Sequence, residues 1–86
     1  MPRFFFSLDD GGATLDAEGA DLPTVEAARA EAIRFLGHAL ADQPDAFWSR
    51  GEWKLTVADD HGLTLFIVEV IAAESPAALV FVPEPT

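Results

Sequence analysis

The chain has 86 residues, no cysteine, and a formal net charge of −10 from five basic and fifteen acidic residues. That length allows one domain with a modest core. The missing cysteine excludes disulfides, thiolate metal sites and a cysteine nucleophile within this sequence, and the acid excess, with the basic residues scattered, speaks against nucleic acid as a partner. Half of the residues are apolar, which argues against disorder, yet no window approaches the ~18 apolar residues of a membrane span.

The first element is a strand over Arg3 to Leu8. Alternation puts Phe4, Phe6 and Leu8 on one face, and Arg3, Phe5 and Ser7 on the other. Three consecutive phenylalanines therefore serve two faces of a sheet. The run Phe4–Phe6 is too short for the apolar stretch of a signal peptide, and Asp9 and Asp10 follow at once. Asp9-Asp10-Gly11-Gly12 reads as a tight turn, Ala13 to Asp16 as a short return strand and Ala17-Glu18-Gly19 as a second turn. Thr24 then caps a helix running from about Val25 to about Ala41, with Glu26 complementing the positive helix end. Its apolar stripe is Val25, Ala28, Ala32, Phe35, Leu36 and Ala39, with Leu40 at the margin. Glu26, Arg29, Glu31, Arg34 and His38 take the wet side, and Pro44 stops any continuation.

Residues 42–51, DQPDAFWSRG, read as a loop carrying two exposed aromatics, Phe47 and Trp48. A third strand over Glu52 to Ala58 places Trp53, Leu55 and Val57 opposite Lys54 and Thr56. Asp59-Asp60-His61-Gly62 is a hairpin turn. The fourth strand runs from Leu63 to about Ala72, with Leu63, Leu65, Ile67 and Ile71 on one face and Thr64, Phe66, Val68 and Val70 on the other. After Glu74-Ser75-Pro76, the segment Ala77 to Val82 is a candidate fifth strand, stopped by Pro83 and Pro85.

Few residues arrange themselves for chemistry. With Gly19 at position 6 of a calcium loop, Thr14, Asp16 and Glu18 take positions 1, 3 and 5, but position 12 falls on Val25 and the motif fails. His38 and His61 lack the i, i+4 spacing of a metal pair and read as surface histidines. Ser7, Ser49 and Ser75 sit in no nucleophile-elbow context. Gly11-Gly12 is not followed by the Gly-Lys-Ser/Thr of a phosphate loop. The phenylalanine run could stack bases, as aromatics on RNA-binding sheets do, but the acid excess favours a core strand. No cofactor, metal site or enzyme activity is expected.

Three segments resemble a family of small bacterial proteins described as domain of unknown function 6894: PRFFFSLDDGG, DAEGADLPTVEAARAEAIR and WKLTVADDHGLTLFIVEV. The D-x-E-G-x-x-L-P run leading straight into an alanine-rich helix is the most specific of them. The resemblance covers about residues 2–70, and it implies no catalytic residues, because the family carries no assigned activity. The acidic turn after the first strand and the threonine-capped helix are also similar to HicB-type antitoxins, although the hairpin between them is shorter here.

The expected fold is α+β: a small antiparallel sheet with one helix on one face, in the order β-β-α-β-β, with a possible fifth C-terminal strand. Residues 1–72 form the domain and 73–86 a tail. One helix covers one face only, so the other needs a cover. The candidate interface is Phe5, Trp48, Phe66, Val68 and Val70, with Leu79 and Phe81 from the tail. The expected function is a cytoplasmic, non-enzymatic interaction or self-association module, a homodimer. The alternatives are an antitoxin-like binder of a basic protein, and a small-ligand or metal-binding module using the Phe47–Trp48 loop. Neither nucleic acid nor membrane is an expected partner.

Overall fold

The computed structural model describes residues 1–10, 14–15 and 19–82, with only the backbone of 14–15. The expected turn at Gly11-Gly12 and the failed calcium loop fall mostly outside the described residues. Within them the chain forms β1 (Arg3–Asp9), β2 (Thr14–Leu15), β3 (Ala20–Asp21), α1 (Val25–Asp42), α2 (Pro44–Arg50), β4 (Glu52–Ala58), β5 (Thr64–Ile71) and a single helical turn, α3 (Pro76–Leu79). The sheet is antiparallel in the order β2-β1-β4-β5, and β3 pairs with β1 beside β2. The fold is α+β as expected, amended by the short β3, by α2, and by a helical turn where a fifth strand was expected.

The helix begins where local chemistry sets it. The Thr24 hydroxyl accepts a hydrogen bond from the Ala27 backbone N–H at 3.1 Å, satisfying one of the donors that a helix start leaves free. Pro44 ends α1, as expected, but it also opens α2. Proline at the first helical position loses nothing, since that N–H would have no helical partner. Gly51 closes α2 in the left-handed region (φ 76°), where glycine has no Cβ to clash. Residues 44–50 are therefore a helix and not a loop, and Phe47 is buried while Trp48 is exposed.

The core lies between the helices and one face of the sheet. Phe4, Phe6 and Leu8 of β1 and Trp53, Leu55 and Val57 of β4 are buried against Ala28, Ala32 and Leu36 of α1 and Phe47 of α2. Ala28 and Ala32 have no exposed surface, so the helix backbone lies close on the sheet. Phe47 meets Trp53 edge to face, with ring centroids 5.4 Å apart. Val25 and Phe35, both expected in the buried stripe, stay on the exposed flank of α1.

Candidate interaction surface

The register assigns the two faces of β5. Phe6 pairs with Val57, and Val57 with Phe66; Leu55 pairs with Val68 and Trp53 with Val70. Directly opposed residues of an antiparallel pair share a face. Phe66, Val68 and Val70 therefore lie on the helix side, partly buried beside the core. This corrects the expected interface, which grouped them with Phe5 on the uncovered face. Phe5 pairs with Ala58, and the rows that share its face are Ser7–Thr56–Ile67 and Asp9–Lys54–Glu69, with Glu52 opposite Ile71. The apolar residues of β5 on the uncovered face are Leu65, Ile67 and Ile71, which are 38, 49 and 66% exposed.

Leu65 has no partner in β4. The pairing steps from Val57↔Phe66 to Ala58↔Thr64, a bulge that leaves one residue extra. The hairpin beyond it is fixed by Asp59, whose carboxylate accepts backbone N–H bonds from His61 and Leu63, both at 2.9 Å.

β5 is distinctive in three respects. It is the edge of the sheet: among the described residues it pairs with β4 alone. Both of its faces are apolar, and its single charged residue, Glu69, stands opposite Lys54 of its own sheet. The helices pack on β4, so Phe66, Val68 and Val70 stay half-buried where Trp53, Leu55 and Val57 are closed off. Natural edge strands are usually short or broken by lysine, proline or bulges that prevent edge pairing. Here the single bulge sits at one end of eight otherwise regular residues.

The remaining expected interface residues are dispersed. Trp48 lies on α2, edge to face against Phe47 at 6.0 Å, on the helix side of the sheet. Leu79 and Phe81 belong to the tail, 82 and 74% exposed. Phe5 is partly covered by the chain at Gly19, where an added Cβ would come 2.9 Å from a ring carbon of Phe5.

A concavity of about 460 Å³ opens between α1 and the sheet. Arg34, His38, Glu31 and Asp42 line its rim, and Trp53 reaches it from the core. Arg34 pairs with Glu31 at 3.2 Å. The Trp53 Nε1 atom is buried with no hydrogen-bond partner among the described residues. The other residues singled out in the sequence have ordinary local roles. His61 Nε2 lies 3.6 Å from Asp60 in an exposed turn, and the Ser49 hydroxyl donates to the Ala46 carbonyl at 2.8 Å. No group of three or more metal-ligating side chains gathers among the described residues, and none of their helices is long and apolar enough to cross a membrane.

The family model for a domain of unknown function, DUF6894, matches residues 3–72. The chain belongs to that family. The DUF6894 region runs from the first residue of β1 to just past β5, so it takes in the sheet, both core helices and the edge strand and leaves out the tail. No curated protein and no solved structure matches the chain. Nothing in these matches supports the likeness to HicB-type antitoxins.

Proposed function

We propose that this DUF6894 protein is a non-enzymatic interaction module whose contact surface is β5, and that its partner is a second copy of the same chain. One observation carries the reading: β5 is a long, nearly uncharged edge strand, apolar on both faces and only half covered by the helices. A free strand edge carries unpaired backbone donors and acceptors, which another strand satisfies directly. Two copies related by a two-fold axis bring the same patch to both sides. Pairing closes both edges, and the half-exposed Phe66, Val68 and Val70 gain cover on the helix side.

Hydrogen exchange on the intact chain tests this reading. Amides of β5 that point away from β4 are expected to be protected at high protein concentration and to lose that protection on dilution. The inner amides of β4 should not change. Outward β5 amides that exchange at one rate across the whole concentration range would contradict self-pairing.

A further inference from the structure

The tail is exposed and apolar, and the uncovered sheet face carries an apolar strip of Phe5, Ala58, Leu65 and Ile67 at its hairpin end. The chain's own tail leaves the sheet at the opposite end, beside Glu52 and Ile71, whereas antiparallel pairing of β5 puts it next to the strip of the second copy. We infer that the segment from Ala73 to Val82 crosses to the second copy and covers the uncovered face of its sheet, at Phe5, Thr56 and Ile67. This rests on the self-pairing of β5 proposed above, and it names what covers the face that pairing leaves open.

The symmetry of the pair restricts its register. A two-fold axis that makes two edge strands antiparallel is perpendicular to the sheet, so it preserves faces and puts one residue opposite itself. A centre on Glu69 would oppose two carboxylates. A centre on Val68 opposes Val68 with Val68, Phe66 with Val70 and Leu65 with Ile71, and leaves Ile67 beside Glu69 of the partner subunit. A centre on Ile67 would place both Leu65 and Val70 against polar residues. Val68 is therefore the centre that matches most apolar pairs. Both helical layers then lie on one side of a continuous sheet, and both uncovered faces lie on the other.

In such a pair the C-terminal end of one β5 lies beside the N-terminal end of the other. The body of the chain ends at Ala72, whose N–H donates to the Gly51 carbonyl at 2.8 Å and which packs at the core margin. Beyond it the tail projects. The radius of gyration is 16.3 Å with a longest extent of 56 Å, against about 12 Å for a compact domain of this length. Leu79, Val80, Phe81 and Val82 are each more than 70% exposed, and Glu74 is the one charged residue from 73 to 82. The tail leaves β5 next to Leu65 of the partner subunit, at the entry to the partner's uncovered face. With α3 kept as a helical turn of about 6 Å and the other six residues extended, the tail reaches roughly 26 Å, and the four strands from its own β5 to β1 of the second copy span roughly 14 Å, so the tail is long enough to cross.

The chain has no cysteine, so Ala78→Cys offers a single site for a nitroxide spin label at an exposed tail residue that leaves Leu79, Val80, Phe81 and Val82 in place. Equal amounts of isotope-enriched unlabelled chain and spin-labelled, unenriched chain are mixed, and mass is measured on the same sample. The expected result is a dimer in which the amides of Phe5, Thr56 and Ile67 in the enriched chain are broadened. Truncation after Ala73 should then weaken the dimer about tenfold or more while leaving it antiparallel. Broadening seen only when the enriched chain carries its own label would overturn the crossing, because the tail would lie on its own sheet. A dimer with no broadening at these amides would overturn it too, and protection of the outward β5 amides in that dimer would show that β5 pairing holds without the crossing. A monomer at every concentration would remove the crossing and the self-pairing reading together.

Discussion

Two glycines of this chain are held by opposite physics, and substitution separates them. Gly19 has φ +74°, and a Cβ there would meet the Phe4 carbonyl oxygen at 2.9 Å as well as the Phe5 ring. Gly19→Ala is expected to destabilise the fold by about 1–3 kcal/mol, measured by urea unfolding, because backbone strain adds to the clash. Gly37 lies inside α1, exposed, with nothing within 4 Å of an added Cβ. Gly37→Ala should stabilise by about 0.5–1 kcal/mol in the same measurement, since alanine loses less backbone entropy in a helix. Ala32, fully buried where α1 lies on the sheet, has no such room. Ala32→Leu should cost about 1–3 kcal/mol by overpacking, with the loss read in the same transition. Trp53 Nε1 makes no hydrogen bond to a described residue, so Trp53→Phe is expected to cost what the lost ring volume costs, and no orphaned acceptor adds to it.

At the scale of elements, α2 and β5 matter most. Phe47 is the one side chain of α2 that is buried, and it stacks edge-on against Trp53. Phe47→Ala should cost about 3–5 kcal/mol, enough to lower the thermal midpoint by well over ten degrees in a domain this small. Had residues 44–50 been a surface loop, the cost would be a fraction of that. The sequence already carried the helix signature there, in Pro44 at the start, Asp45 in the first turn and Gly51 after the last, but the tryptophan and charged residues around Phe47 masked it. The capped α1 and the core faces of β1 and β4 were legible, because each strand has one clearly apolar side. The phase of β5 was not, because both of its sides are apolar and alternation alone is then silent. Counting through a four-residue turn from Asp59 to Gly62 assigns the face but not the register: it puts even-numbered residues of β5 opposite odd-numbered residues of β4, with Phe66 opposite Leu55, whereas the bulge at Leu65 shifts Phe66 to Val57. The tail misled for a different reason. Leu79 to Val82 have strand-forming side chains, but strand propensity reflects packing on a sheet, and here the segment meets no sheet of its own chain.

The whole molecule carries −10 charges, and its proposed contact carries almost none. Two like copies repel through their fields, and salt screens that repulsion over a Debye length of about 10 Å at 0.1 M. Self-association through β5 should therefore tighten as ionic strength rises, checked by sedimentation across a salt series. A basic protein partner would follow the opposite sign, held by the acidic surface and released by salt. The same field keeps monomers apart at low concentration, so the dimer should be reversible.

Absolute mass by light scattering over a concentration series, on the intact chain and on Ile67→Asp, tests the central claim most directly. Ile67 is half exposed and outside the core, so the variant should fold, with an unchanged circular dichroism spectrum, while its carboxylate faces Glu69 of the partner subunit. The account predicts a mass that climbs from the 9.2 kDa of one chain to twice that value, and a variant that stays at one chain throughout. A wild-type mass that stays at one chain at every concentration, or a variant that dimerises as tightly as wild type, would contradict it.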